Sequence, residues 1–201
     1  MTPLEAAYYE GIIAYIQKLT RASRKKIELA LLSNHQATAD YEASLSGAAD
    51  AKIKLNLGSS AATLNGFINV DIVEGPGIFV ADLTKPWPWA DNSVDYIRAY
   101  HVIEHLPDKI FTMNEMWRVL KPRACADVIV PTTDGPGAFQ DPTHTSFWNR
   151  RSFLYYEDGS PYRESNAKGY GIHAGFRVVR ERTDDTFDGP VLAITLEVVK
   201  A

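Results

Sequence analysis

The sequence is poor in cysteine, in long apolar runs and in surplus positive charge, and each shortage excludes something. A single cysteine, Cys125, among 201 residues leaves no partner for an intramolecular disulfide. It adjoins an apolar run, Ala126 to Val130, and reads as a buried thiol suited to a reducing compartment. No apolar stretch approaches the roughly 20 residues that span a bilayer, so no membrane partner is expected. The opening segment, MTPLEAAYYEG, lacks the basic-then-apolar order of a secretory signal. A cytoplasmic location is the expectation. Lys and Arg number 21 against 25 Asp and Glu, a formal net charge of −4, so no global positive field draws in nucleic acid. A local basic groove could still serve. What is present, 45% hydrophobic and 23% charged residues, is the balance of a globular domain of ordinary size with an appendage.

Two textures divide the chain. Residues 1–50 form a helical N-terminal extension and linker. Leu4, Tyr8, Ile12, Tyr15, Ile16 and Leu19 recur at helical steps, and Thr2-Pro3 with Glu5 makes a capping start. This stripe is expected to pack against the main domain or against a second copy as a homodimer. The basic cluster Arg21, Arg24, Lys25 and Lys26 reads as a solvated helix face in preference to an anion-binding surface.

Residues 51–201 alternate between strand and helix patterns. Strands are predicted at Ile53–Leu57, Gly66–Asp71, Ile78–Asp82, Val94–Tyr100, Asp127–Pro131, Phe176–Arg182 and Val191–Val199. A helix is predicted over Lys109–Leu120, ended by Lys121-Pro122, and a short one near Arg151–Tyr156. The fold class is α/β: a Rossmann-like, mostly parallel sheet with an antiparallel C-terminal strand pair. Leu57 to Phe67 and Asp71 to Ile78 are too short for helical crossovers, which take about a dozen residues or more. Short irregular connections are expected there, with the N-terminal helix covering the bared sheet face.

Open α/β sheets bind ligands beyond their strand tips. Here the tips carry Gly58, Asp71, Asp82 and the pair Tyr100-His101 in succession. Such a set suits a nucleoside. Glycine admits close backbone approach, one carboxylate can accept from two ribose hydroxyls, and another can accept from an exocyclic amine.

Through KIKLNLGSS, GFINVDI, VADLTKPWPWADNSVDYI, YHVIEHL and MNEMWRVLKP with VIVP, the chain resembles the class I S-adenosylmethionine-dependent methyltransferases. The likeness is to the small bacterial and phage members of the methyltransferase type 11 kind, and it runs from about Lys52 to Pro131. It implies S-adenosylmethionine as cofactor. Gly58 would lie under the methionine part, Asp71 would hold the ribose, and Asp82 with Leu83 would meet the adenine. Tyr100 and His101 would border the sulfonium and the acceptor. His101 or His144 would serve an acceptor as base, and the acceptor is expected to be a small molecule or glycan before nucleic acid.

Two departures mark the resemblance. The usual GxG turn is Gly58-Ser59-Ser60, which adds bulk where backbone meets cofactor and motivates an alternative, a catalytically degenerate cofactor-binding protein. RVLKPRA stands for the usual RVLKPGG, so Arg123 and Ala124 would need a type I turn. A rival reading takes His101-Val102-Ile103-Glu104-His105 as the HxxEH signature of a zinc hydrolase. Pro107 leaves that helix very short and no clear third ligand follows on a second helix, so no metal is expected, and Glu104 reads as fixing a neighbour or capping the short helix. In the long loop Pro131–Trp148, Asp141 and His144 could serve an acceptor, or make a turn and a local hydrogen bond. Phe147, Trp148, Trp87 and Trp89 are expected in the core.

Overall fold

The computed structural model describes residues 52–60 and 62–200. The N-terminal helix, its apolar stripe, the basic cluster and the dimer expectation lie outside the described residues.

Seven strands form one sheet: β1 (Lys54–Leu57), β2 (Ile68–Asp71), β3 (Ile78–Val80), β4 (Val94–Tyr100), β5 (Leu120–Pro131), β6 (Phe176–Thr186) and β7 (Gly189–Val198). Their spatial order is β3-β2-β1-β4-β5-β7-β6. The first five are parallel, and β7 runs antiparallel to both β5 and β6. The strand order reverses between β1 and β4, which makes the carboxyl ends of those two strands the crevice where this architecture receives ligands. No helix among the described residues is long and apolar enough to cross a membrane.

Helix α1 (Lys109–Val119) starts where the Asp108 side chain accepts from the Phe111 amide at 2.8 Å. Its apolar stripe buries Met113, Met116 and Val119 in one core with Leu55, Leu57, Ile97, Ala99 and Val128. Trp87 and Trp89 close the core at 3% and 2% exposure, as their Pro-rich segment suggested. Glu115 accepts from the Trp87 amide at 2.7 Å, and Arg118 bonds Glu115, Asp91 and the Trp87 and Trp89 carbonyls. Burial favours the neutral acid at Glu115, but hydrogen bonds from Arg118 and the Trp87 amide outweigh it and hold the group below its ordinary range.

The other sheet face is polar where neighbouring strands meet in register. Asn69, Asn56, Arg98, Asp127 and Thr195 stand side by side on β2, β1, β4, β5 and β7. Asn56 donates to Asn69 at 2.9 Å, Arg98 donates to Asn56 at 2.7 Å, and Thr195 donates to Asp127 at 2.6 Å. Only residues 58–67 join β1 to β2 and only 72–77 join β2 to β3, with no helix among the described residues of either. In place of a helix, Asn69 clamps the connection: its side chain accepts from the Leu64 amide and donates to the Leu64 carbonyl, while Asn56 donates to the Ala62 carbonyl.

Differences from expectation have local causes. β5 begins at Leu120 and runs through Lys121-Pro122, with Arg123 at φ 67 and a register shift against β4. A left-handed residue inside a bulged strand replaces the expected type I turn. Three further short helices follow, α2 (Gly137–Gln140), α3 (Arg150–Phe153) and α4 (Pro161–Tyr170). The last has an Ser160 cap, Pro161 at its start and Gly171 at its end, but it buries no residue, so it has no apolar period to read. The C-terminal hairpin turns at residues 187–188, so β6 runs past Arg182 to Thr186 and β7 begins at Gly189, ahead of Val191. Cys125 is half-buried, and its thiol is pushed up by burial and by Glu197 and Asp127. Phe147 is 39% exposed instead of buried, its ring tilted against that of Phe139 with centroids 5.1 Å apart.

Two stability changes follow. Asn69→Ala strands the Asn56 amide and both polar groups of Leu64, and urea unfolding should show a loss of about 2–3 kcal/mol; a loss within error would remove the clamp. Arg123→Gly relieves a left-handed side chain at some cost in unfolded-chain entropy, for a net gain of about 0.5–1 kcal/mol by the same measurement.

Candidate active site

Gly58 takes φ 59, and a Cβ there would meet Val102 Cγ2 at 2.5 Å. Glycine is therefore required both by conformation and by the close packing of the β1 tip on the β4 tip. Ser60 holds φ 45 and is exposed, while its amide donates to Asp71 Oδ2 at 2.8 Å. The turn thus keeps a glycine-like backbone at Ser60 despite the side chain. Ser59 is buried, and its amide donates to the Val70 carbonyl at 2.9 Å, fixing the turn to β2.

Asp71 and Asp82 stand on adjacent tips: the Asp71 carbonyl accepts from the Ala81 amide at 2.9 Å, and β2 and β3 are in register there. Asp71 Oδ1 accepts from the Val73 amide at 2.9 Å, so each of its oxygens takes one backbone bond and keeps a second lone pair. Asp82 Oδ1 accepts from the Thr84 hydroxyl and amide. The hydroxyl bond, above all, holds this carboxyl below its ordinary range, and Oδ2 stays available. Ile72 and Val73, at 66% and 68% exposure, follow Asp71. An apolar pair beside two carboxylates fits a nucleoside, with base face on the pair and polar edges on the acids. Short and outside any period, the pair gave no sequence signal. Leu83 is buried in the core, and its carbonyl accepts from the Trp87 indole at 3.1 Å.

At the β4 tip Tyr100 and His101 part company. Tyr100 lies on the polar sheet face beneath the Arg98 guanidinium, 3.7 Å from the ring centroid, near Asp127 and Arg180. His101 has φ 52, with its side chain 55% exposed and Nδ1 3.3 Å from Glu104 Oε1. Residues Ile103–His105 form a single 3₁₀ turn, so the HxxEH segment makes no α-helical face. Glu104 is 1% exposed, and it is no cap, because neither of its oxygens accepts a hydrogen bond among the described residues.

The loop after β5 is pinned on that turn. The Thr145 and Ser146 amides both donate to the Glu104 carbonyl at 2.9 Å, and the Ser146 hydroxyl donates to Ile103. Asp141 accepts from the Thr143 amide and hydroxyl, which keep its carboxyl low, and forms the turn. His144 sits with Nδ1 3.0 Å from the Ala138 carbonyl and its ring 4.8 Å from that of His105. Beside the loop lies a cavity of about 690 Å³ lined by Lys109, Thr145, Phe147, Tyr155, Tyr156 and Tyr170. Burial lowers the Lys109 ammonium, which lies 4.7 Å over the Trp148 ring and donates to the Phe147 carbonyl. Spread over four segments, this lining had no pattern to find in the sequence.

Ser60→Gly should raise stability in urea unfolding by about 0.5–1 kcal/mol, since only the left-handed penalty is removed. A decrease would mean that the hydroxyl serves the site.

Residues 56–125 match the family described as Methyltransferase domain. No curated protein matches the sequence. Solved structures share the fold at low identity. One is a methyltransferase dependent on S-adenosylmethionine (SAM) from Methanosarcina mazei, 12% identical, covering 76% of this chain and 95% of its own, TM-score 0.53. Another is the 1,6-didemethyltoxoflavin-N1-methyltransferase of Burkholderia thailandensis, 14% identical, covering 100% and 92%, TM-score 0.51. A third is the cyclase SpnF, 10% identical, covering 84% and 81%, TM-score 0.54, so the fold by itself does not name a reaction. The domain match, over 70 of the 201 residues, lies on a sheet of this strand order and marks a methyltransferase domain at 56–125.

Proposed function

We propose that this methyltransferase acts on an oxygen or nitrogen nucleophile of a small molecule or glycan. The observation that carries the reading is the row of tips at the sheet's carboxyl edge. Asp71 and Asp82, each with acceptor capacity left, flank the exposed Ile72-Val73 pair next to the glycine turn.

In this reading Gly58 lets the backbone approach the methionine portion. Asp71 takes the ribose hydroxyls, and Asp82 with the Leu83 backbone meets the base edge. Tyr100, turned onto the sheet face, contributes through its backbone. S-adenosylmethionine supplies a methyl on a sulfonium, which a nucleophile displaces in line. The protein's part is alignment and exclusion of water. His101 is placed to accept the acceptor's proton: Glu104 lies on its Nδ1 side, which leaves Nε2 for the acceptor. His144 belongs to the pinned loop that walls the same region. The aromatic cavity beside that loop suits a ring-bearing or sugar acceptor better than a phosphate backbone, and the net charge of −4 agrees. The lone thiol favours a reducing cytoplasm. The degenerate reading rested on the missing second glycine, and Ser60 holds the backbone that glycine would.

Calorimetric titration with S-adenosylhomocysteine tests the cofactor residues. Asp71→Asn should bind at least about tenfold more weakly, the worth of one charge-assisted hydrogen bond, and should lose one of the two backbone bonds that the carboxylate accepts from Ser60 and Val73. Equal affinity would remove Asp71 from the site. A panel of hydroxyl, amine and sugar acceptors, with RNA and DNA alongside, tests turnover by S-adenosylhomocysteine release. His101→Ala should lower kcat by about 10²-fold or more while the S-adenosylhomocysteine affinity holds. Binding without release from any acceptor would favour the degenerate alternative.

A further inference from the structure

We propose that Glu104, His105 and His144 form a binding site for one divalent transition-metal ion of the zinc class. One donor atom from each residue lies within 4.8 Å of the other two. Tetrahedral donors on a shared ion at about 2.0–2.2 Å sit about 3.3–3.6 Å apart. The widest pair therefore has to close by about 1.2–1.5 Å, through side-chain rotations of the three residues.

Three observations favour an ion over chance proximity. The Glu104 carboxylate is 1% exposed and neither oxygen accepts a hydrogen bond, an arrangement that is costly unless a cation completes it. The neighbouring His101 Nδ1, at 3.3 Å, lacks the alignment of a hydrogen bond and leaves Oε2 untouched.

The tautomers of both histidines are set by their partners. His144 Nδ1 faces the Ala138 carbonyl at 3.0 Å, and a carbonyl only accepts, so Nδ1 carries the proton and Nε2 presents a lone pair. His105 Nδ1 faces the Thr143 carbonyl at 3.3 Å and its hydroxyl at 3.0 Å. That hydroxyl already donates to Asp141 at 2.6 Å, so it too accepts from the ring, and His105 Nε2 is also bare. Metal-binding histidines are characteristically oriented this way, by a backbone carbonyl on the other ring nitrogen.

Finally, the His144 side chain is 9% exposed, and its Nε2 lies 3.9 Å from Asp141 Oδ2, beyond hydrogen-bond reach. Two imidazoles and one carboxylate form a nitrogen-rich, borderline-soft set that selects zinc-class ions over calcium or magnesium. This set differs from the HxxEH motif: His101 is not in it, and the third ligand comes from the loop after β5. An ion here would tie that loop to the β4 tip.

The test uses the full chain after chelator treatment, titrated with zinc by calorimetry and melted with and without it. Wild type should take up a saturable zinc ion. At a hundredfold excess over Kd its melting temperature should rise by about 5–10 °C. Glu104→Gln and His144→Ala should each lose more affinity than the about 10- to 100-fold that follows loss of a residue orienting a ligand. The exposed His173→Ala should match wild type. Glu104→Gln keeps the volume and removes the unpaired charge, so it carries the test should His144→Ala unfold. Absence of saturable uptake by wild type, as expected if an imidazolium neutralises Glu104, overturns the site. So does uptake undiminished in both variants.

Discussion

The polar row across five strands constrains everything else in this domain. Asn69, Asn56, Arg98, Asp127 and Thr195 occupy one sheet face at matched register. Sliding a strand by one residue would drive an amide, a guanidinium or a carboxylate into the core beneath α1. Leu55, Leu57, Ile97, Ala99 and Val128 are held on the opposite face by the same alternation. The row also does what a crossover helix does elsewhere, since Asn69 and Asn56 bond the residues that connect β1 to β2. A parallel sheet with connections this short depends on hydrogen bonds to fix its turns.

Fixing those turns fixes the candidate site at the strand tips. Three residues at the strand tips hold positive φ: Gly58, Ser60 and His101. Each lies where a strand ends and the chain reverses sharply, and sparsely populated backbone of this kind persists only where neighbours over-determine it. Gly58 is locked by Val102, and Ser60 by Asp71. The carboxylate proposed to hold a ribose thus also shapes the turn proposed to receive the methionine end, so one side chain links the two parts of the candidate site.

The loop after β5 is pinned to the β4 turn by hydrogen bonds. Backbone amides of Thr145 and Ser146 converge on the Glu104 carbonyl, and Trp148 donates to the Ser146 hydroxyl at 2.9 Å. These bonds bring His144 against His105 and place an aromatic cavity alongside. Order in so long a segment comes from its hydrogen bonds to the β4 turn, with Trp148 as the buried anchor.

The sequence determined the sheet, its helix α1 and the residues at the strand tips, because strand alternation, helical period and glycine placement are local properties of the chain. Gly58, Asp71 and Asp82 could be named from position alone, and Trp87 and Trp89 from their setting. Tertiary structure decided what local patterns do not encode. Glu104 looked like a cap or a residue fixing a neighbour, and is a buried carboxylate beside His101 that accepts no hydrogen bond among the described residues; Phe147 looked like core and is exposed; α4 buries nothing and so has no period. Arg123 took a left-handed bulge because β5 must meet β4 in register. His105 and His144 are far apart in sequence, and only the fold of the loop onto the β4 turn sets their rings together. Contacts between distant segments depend on how surfaces close on one another, which no short stretch of sequence specifies.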